Sequence, residues 1–152
     1  MTPYHTSVNI SMSMETTLTI RAAEQRDSRE ILEIIKTLDL SYPSQTLDDF
    51  WVAEKDGEIA GIANLKKFDD FLFLSSVGTK EKCQHQGISS ALLNNILNGA
   101  RKKVYLYTTI PDFFERLGFR KTIPLPNLPV KKTFSCRECT PETCICMVKI
   151  NS

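Results

Sequence analysis

Between Val77 and Leu93 the chain reads Val-Gly-Thr-Lys-Glu-Lys-Cys-Gln-His-Gln-Gly-Ile-Ser-Ser-Ala-Leu-Leu. A β-prone run ends, a polar loop turns, and an amphipathic helix begins at a glycine. Such a loop points successive backbone N–H groups toward one spot, where the helix N-terminus adds partial positive charge. A pyrophosphate suits that seat. Gly87 has no Cβ to meet phosphate oxygens, Ser89 and Ser90 bring hydroxyl donors, and Lys80 and Lys82 bring charge at the rim. A plain strand-to-helix turn that needs glycine only for its geometry is the competing reading, and the glycine alone does not separate the two.

A second cluster of chemistry-bearing residues is the cysteine-rich tail, 134–152. Cys136, Cys139, Cys144 and Cys146 place four thiols within eleven residues. The first pair has the two-residue spacing of a zinc knuckle, whereas the second pair is one residue apart and only four residues separate the pairs. A structural zinc on these four cysteines, a redox pair, and plain thiol packing against a last strand all stand as readings.

The elements that must position these residues follow from hydrophobic period and turn chemistry. Leu18, Ile20 and Ala22 alternate with polar neighbours, the period of a half-buried strand. Asp27 is placed to cap a helix whose Ile31, Ile34, Ile35 and Leu38 recur at three- and four-residue spacing. Strands are expected at 50–54 and 58–65, joined by Lys55-Asp56-Gly57, with the Asp-Gly pair supplying positive φ for a tight hairpin. A β-prone run covers 71–77. Ile88, Leu92, Leu93, Ile96 and Leu97 trace a buried helix face ending near Gly99. A short strand at 104–108 follows, then a helix opened by Thr109-Ile110-Pro111-Asp112 and stopped at Gly118. Residues 1–15 lack periodic hydrophobicity and read as a disordered leader. Phe119 onward reads as extended, so the order over 16–152 is β-α-β-β-β-α-β-α-β, with Met147–Ile150 as a further, final strand. This is an α/β, mixed-sheet single domain flanked by helices.

Composition fits that picture and narrows the function. The 152 residues are 41% hydrophobic and 24% charged, with 19 basic against 18 acidic side chains and a formal charge of +1. One domain with an ordinary core follows. The balance gives no reason to expect a nucleic-acid or membrane partner. No apolar run approaches the roughly 20 residues of a membrane span. Met1–Glu15 has neither basic residues nor an apolar core of the signal-peptide kind, so a cytoplasmic location and reduced thiols are expected.

Gln84-His85-Gln86-Gly87-Ile88-Ser89 resembles the acetyl-CoA motif of the GNAT acetyltransferase superfamily, in which Gln or Arg is followed three residues on by Gly and two further on by Gly or Ala. Ser89 stands at the last small position. The family's aromatic pair running into Leu-Gly-Phe is matched by Phe113-Phe114-Glu115-Arg116-Leu117-Gly118-Phe119. The two motifs fall in family order on matching elements, and the resemblance covers roughly 17–121. Its shorter N-acetylglutamate synthase-like branch, with related small amino-acid acetyltransferases, looks nearest.

The resemblance implies an N-acetyltransferase that moves the acetyl group of acetyl-CoA to a primary amine of a small molecule, an amino acid foremost, by direct attack. It implies cofactor contacts from Val77, Thr79, Gln84, His85, Gln86, Gly87, Ile88, Ser89, Ser90, Thr109 and Phe114. It places pantetheine along 74–77, splayed from 104–108, with the N–H of Val77 or Gly78 as oxyanion donor. It also implies an acceptor side covered by 40–49 and the segment after Phe119, where Asp48, Asp49, Arg116, Arg120 and Lys121 stand as charged candidates or as ordinary surface.

Two family parts are missing. Leu72-Phe73-Leu74-Ser75-Ser76 offers no carboxylate base, and Phe114 occupies the place where many relatives carry an acidic tyrosine. Tyr107, Thr108 and Thr109 are the substitute hydroxyls, with Tyr107 also readable as strand packing. His85 reads as a solvent-facing loop residue, and Cys83 as packing beneath the loop. A CoA-binding or metal- or redox-responsive module without catalysis is the alternative function. Monomer and homodimer both remain open.

Overall fold

The computed structural model describes residues 8–11, 17–40, 45–124 and 145–150. Alternating outer strands and continuous apolar runs in β4 and β5 form one mixed sheet, in the order β1-β2-β3-β4-β5-β6-β8-β7. The strands are β1 (Val8–Ser11), β2 (Thr17–Ala22), β3 (Phe50–Lys55), β4 (Glu58–Lys67), β5 (Phe71–Thr79), β6 (Lys103–Thr108), β7 (Arg120–Lys121) and β8 (Ile145–Lys149). All neighbours are antiparallel except β5 and β6. Among the described residues three α-helices cover the sheet: α1 (Ser28–Leu38), α2 (Ile88–Asn98) and the single turn α3 (Pro111–Glu115).

The strand period sorts the core into two layers. Leu18, Ile20, Ala63, Leu72, Leu74 and Leu106 pack with the apolar stripe of α2 and with Phe114 and Phe119. On the other face Phe50, Val52 and Ile62 pack with Ile31, Ile34 and Ile35 of α1. Phe71, Phe73, Tyr105, Cys146 and Val148 continue that second face toward the sheet edge. Burying such side chains contributes about 1.5–3 kcal/mol each. The α/β mixed-sheet architecture is therefore the one expected, with the Asp56-Gly57 hairpin at positive φ, 52° and 81°.

Several local expectations are corrected. Residues 8–11 form a strand paired to β2, Val8 opposite Ile20, so the reading of 1–15 as a disordered leader fails there. The last strand begins at Ile145 rather than Met147, and β7 lies outside it. Asp27 precedes α1 but makes no capping bond. Its carboxylate takes two hydrogen bonds from the Arg21 guanidinium, at 2.7 and 2.9 Å, and Arg21 also bonds Glu54. Opposite charge outcompetes the helix end here, because both Arg21 and Asp27 are buried, at 7% and 5% exposure. Ahead of α3 the Thr108 Oγ1 accepts the Ile110 N–H at 2.9 Å, and Ile110 is the N-cap.

Candidate functional site

The site is made by two strands that part. β5 and β6 run parallel and pair only through Phe71–Phe73 against Lys103–Tyr105. Beyond Phe73 the backbone of β5 leaves β6, and a cavity of about 660 Å³ opens between them. A bulge helps aim it. Ile62 faces Gly78 and Asn64 faces Ser75, so Ser76 and Val77 together oppose the single residue Ala63. Ser76 holds the left-handed conformation, φ 51°, which costs a non-glycine residue roughly 1–2 kcal/mol. Its Oγ offsets part of that by donating to the Leu40 carbonyl at 2.6 Å.

Gly78 lies against the leucines at the end of α1. A Cβ there would meet Leu40 Cδ1 at 2.6 Å and Leu38 Cδ1 at 2.8 Å, so both side-chain ends would have to shift to admit one.

At the far end of the cavity the chain turns from β5 into α2. His85 and Gly87 both take positive φ, 65° and 75°, and Gly87 is the N-cap of α2 with no side chain closing the helix. The left-handed turns bring loop amides and the helix end to one concavity, an anion seat of the nest type. The loop is braced from below. Gln84 Nε2 donates to the Thr79 carbonyl at 3.1 Å, and the Thr79 and Ser89 hydroxyl oxygens lie 2.6 Å apart.

Val77, Gly78, Thr79, Gln84, His85, Gly87, Ile88, Ser89, Ser90, Tyr107, Thr109 and Phe114 all line this cavity. Gln86 does not line it; its side-chain oxygen accepts from Lys55 Nζ on the outer surface. Lys80 and Lys82 pair with Glu30 and Glu58, at 3.4 and 3.0 Å. Asp48, Asp49, Arg116, Arg120 and Lys121 do not reach the lining. Cys83 lies at the cavity wall beside the loop.

Of the tail cysteines, Cys136, Cys139 and Cys144 lie outside the described residues. Cys146 is buried in β8 among Phe71, Phe73, Tyr105 and Val148, an apolar setting. Among the described residues no group of His, Cys, Asp or Glu is arranged to hold a metal.

On β6, Tyr107 faces the cavity with its ring edge-on to Phe73 at 5.8 Å. Burial, with a smaller contribution from Cys146, pushes its pKa up to about 12. Its hydroxyl thus keeps its proton at any physiological pH.

Three features escaped the sequence. The Arg21–Asp27–Glu54 cluster has no signature, because Arg21 sits at a polar position of an ordinary alternating strand. The bulge has a faint one, two serines interrupting the apolar run 71–77. Asn64 has one too: it falls in phase with the apolar Ile62 and is fully buried.

Comparison with known proteins agrees with the geometry. Residues 46–121 match the family described as Acetyltransferase (GNAT) domain. A probable N-acetyltransferase camello from Xenopus laevis is 36% identical over 86 residues, 49% of this chain and 39% of that protein. The chain thus spans about two fifths of that relative's length. The N-acetylglutamate synthase of Neisseria gonorrhoeae, solved with coenzyme A and N-acetyl-glutamate, superposes with a TM-score of 0.68 at 22% identity, over 87% of this chain and 34% of that one. Arabidopsis thaliana Naa50, in complex with the bisubstrate analogue CoA-Ac-MVNAL, gives a TM-score of 0.68 at 15% identity over 88% of this chain and 99% of its own. A family match across half of the sequence, on the elements that build the parted strands and the loop, shows that the chain belongs to the GNAT acetyltransferase family.

Proposed function

We propose that this domain transfers the acetyl group of acetyl-CoA to a primary amine by direct attack, the acceptor being a small molecule and an amino acid foremost. The observation that carries the reading is the continuity of one cavity from the parted strands to the open N-terminus of α2. The residues suit the cofactor: a nest for the diphosphate at Gln84–Ser89, free strand edges for the pantetheine amides, and an apolar wall at Phe114. Bound acetyl-CoA supplies a thioester carbonyl that a free amine attacks, the C–N bond forming as the C–S bond breaks.

Val77 and Gly78 lie at the bulge and line the cavity. Their backbone N–H groups are the donors for the charge developing on the carbonyl oxygen, an effect of about 3 kcal/mol for one donor in other acyl-transfer sites.

No Asp, Glu, Lys or Arg lines the cavity among the described residues. The amine accordingly enters uncharged, and the N–H proton it sheds as the amide forms goes to water. Tyr107 holds a proton at the gap and passes it to the departing thiolate, recovering one from solvent. Holding both partners in place supplies much of the rate.

The absence of a lining carboxylate also favours a second reading, a CoA-binding module that does not turn over. Protein mixed with acetyl-CoA and a panel of amino acids, peptides and polyamines separates the two. Thiol release with any amine supports transfer, and tight acetyl-CoA binding with no release on the whole panel supports the module.

A further inference from the structure

The strained point of the parted strand is Ser76, left-handed at φ 51°. A non-glycine residue persists in that conformation only where its surroundings over-determine it. Here they form a hydrogen-bonded clamp that reaches the strand from outside the sheet. Ser76 Oγ donates to the Leu40 carbonyl at 2.6 Å and accepts from Gln45 Nε2. The same Nε2 donates to Ser75 Oγ at 3.2 Å. Both anchors are themselves fixed. The Leu40 N–H donates to the Ile35 carbonyl of α1 at 2.9 Å, just past the left-handed residue Asp39 that ends the helix. Gln45 precedes a short turn into β3, closed by the Asp49 N–H on the Thr46 carbonyl at 3.1 Å.

The clamp bears on one amide. The Val77 N–H belongs to the planar peptide unit that joins Ser76 to Val77, so the backbone angles of Ser76 set where it points. On the other side of Val77, Gly78 lies against the Leu38 and Leu40 side chains. Val77 thus sits between two residues that both bear on the end of α1, at the bulge opposite Ala63. β6 pairs with β5 only as far as Phe73, so the ladder on that side does not hold this amide. A donor that is to meet developing charge without reorganising needs some other hold.

We infer that Ser76 and Gln45 are positioning residues for acyl transfer: their hydrogen bonds keep the Ser76 peptide left-handed and so fix the Val77 N–H as an oxyanion donor. The inference rests on the transferase reading and adds to it two residues that lie outside both sequence motifs. The oxyanion exists only on the way through the transition state. Loosening the clamp therefore weakens that state and leaves the bound cofactor as it was.

The test measures kcat and acetyl-CoA Kd, using the amine of the panel above that turns over fastest. Ser76→Ala removes both hydrogen bonds and keeps a non-glycine residue at the strained position. Its kcat should fall by about tenfold or more, toward the roughly 100-fold that losing a whole donor costs in other sites, while acetyl-CoA Kd stays within about twofold. Ser76→Gly, at ease with positive φ, should retain more kcat than Ser76→Ala does. Gln45→Leu should also lower kcat at constant Kd, and should add little in the Ser76→Ala background, because both residues act on one clamp. Should Ser76→Ala fail to fold, Ser76→Gly and Gln45→Leu carry the same comparison. An unaltered kcat in these variants, or a loss lying wholly in acetyl-CoA Kd, assigns the clamp to stability or cofactor binding and overturns the inference while acetyl transfer stands. Wild-type silence on every amine removes both.

Discussion

Thr79 and Ser89 join the end of β5 to the first turn of α2 through hydroxyl oxygens 2.6 Å apart. That bond couples the strand that would hold the thioester to the helix that would hold the diphosphate. Thr79→Val deletes it at nearly constant shape and leaves a half-buried Ser89 hydroxyl unpaired. Urea denaturation should show a loss of about 1 kcal/mol. Acetyl-CoA Kd should rise by about fivefold, the binding equivalent of the same energy. Unchanged values in both would mean that strand and helix are held together elsewhere.

The buried Arg21–Asp27 pair should matter to stability rather than to turnover. The Arg21 guanidinium holds the Asp27 carboxyl below its ordinary value. Asp27 also accepts the Glu24 N–H at 2.7 Å. Because the native-state value is depressed, the contribution is complete above about pH 4 and drains away as pH falls through the native value. Asp27→Ala leaves the buried cation to Glu54 and the more distant Glu24 and should cost about 3 kcal/mol at pH 7. In a pH series of denaturant melts, wild type should lose stability below pH 4 more steeply than Asp27→Asn.

The proton path gives a pH profile. With no carboxylate lining the gap, kcat/KM should climb with unit slope until the acceptor's own ammonium titrates, at about 8 for a peptide α-amine and higher for aliphatic amines. Tyr107, pushed to about 12 by burial, should add no falling limb below pH 11. Tyr107→Phe should lower kcat by about 100-fold or more if the proton transfer is rate-contributing, with acetyl-CoA Kd little altered. A rising limb near pH 6 that ignores the acceptor's pKa would point to a protein base instead.

How legible this was in the sequence differs by element. The helix α2 and the 50–65 hairpin were readable within a few residues, because α2 keeps its apolar residues on one stripe and the Asp56-Gly57 turn divides two β-prone runs, the second of them buried on both faces. The loop at Gly87 was readable because a β-prone run, a polar turn and an amphipathic helix follow one another there and Gln84–Ser89 resembles a known motif; its positive φ was not. Ser76 was not: its left-handed backbone comes from the bulge, and the bulge exists only when β4 is already paired. Arg21 and Asn64 escaped for the same reason. Each is a polar residue whose burial is decided by partners 33 and 11 positions away, Glu54 and Ser75. Cys146 shows the converse, since its place in β8 beneath Phe73 separates it in role from the spacing pattern it shares with the tail.

Everything proposed for catalysis depends on a diphosphate seated on the amides at the head of α2. Titration calorimetry with acetyl-CoA on wild type, Gly87→Asn and Gly87→Asp tests that seat directly. Asparagine and aspartate have nearly the same shape and both tolerate positive φ, so their difference isolates charge. Wild type should bind at micromolar Kd, Gly87→Asn more weakly, and Gly87→Asp more weakly again by about tenfold, or 1.4 kcal/mol. A wild-type protein that ignores acetyl-CoA, or an aspartate variant that binds it as well as the asparagine variant does, would contradict the account.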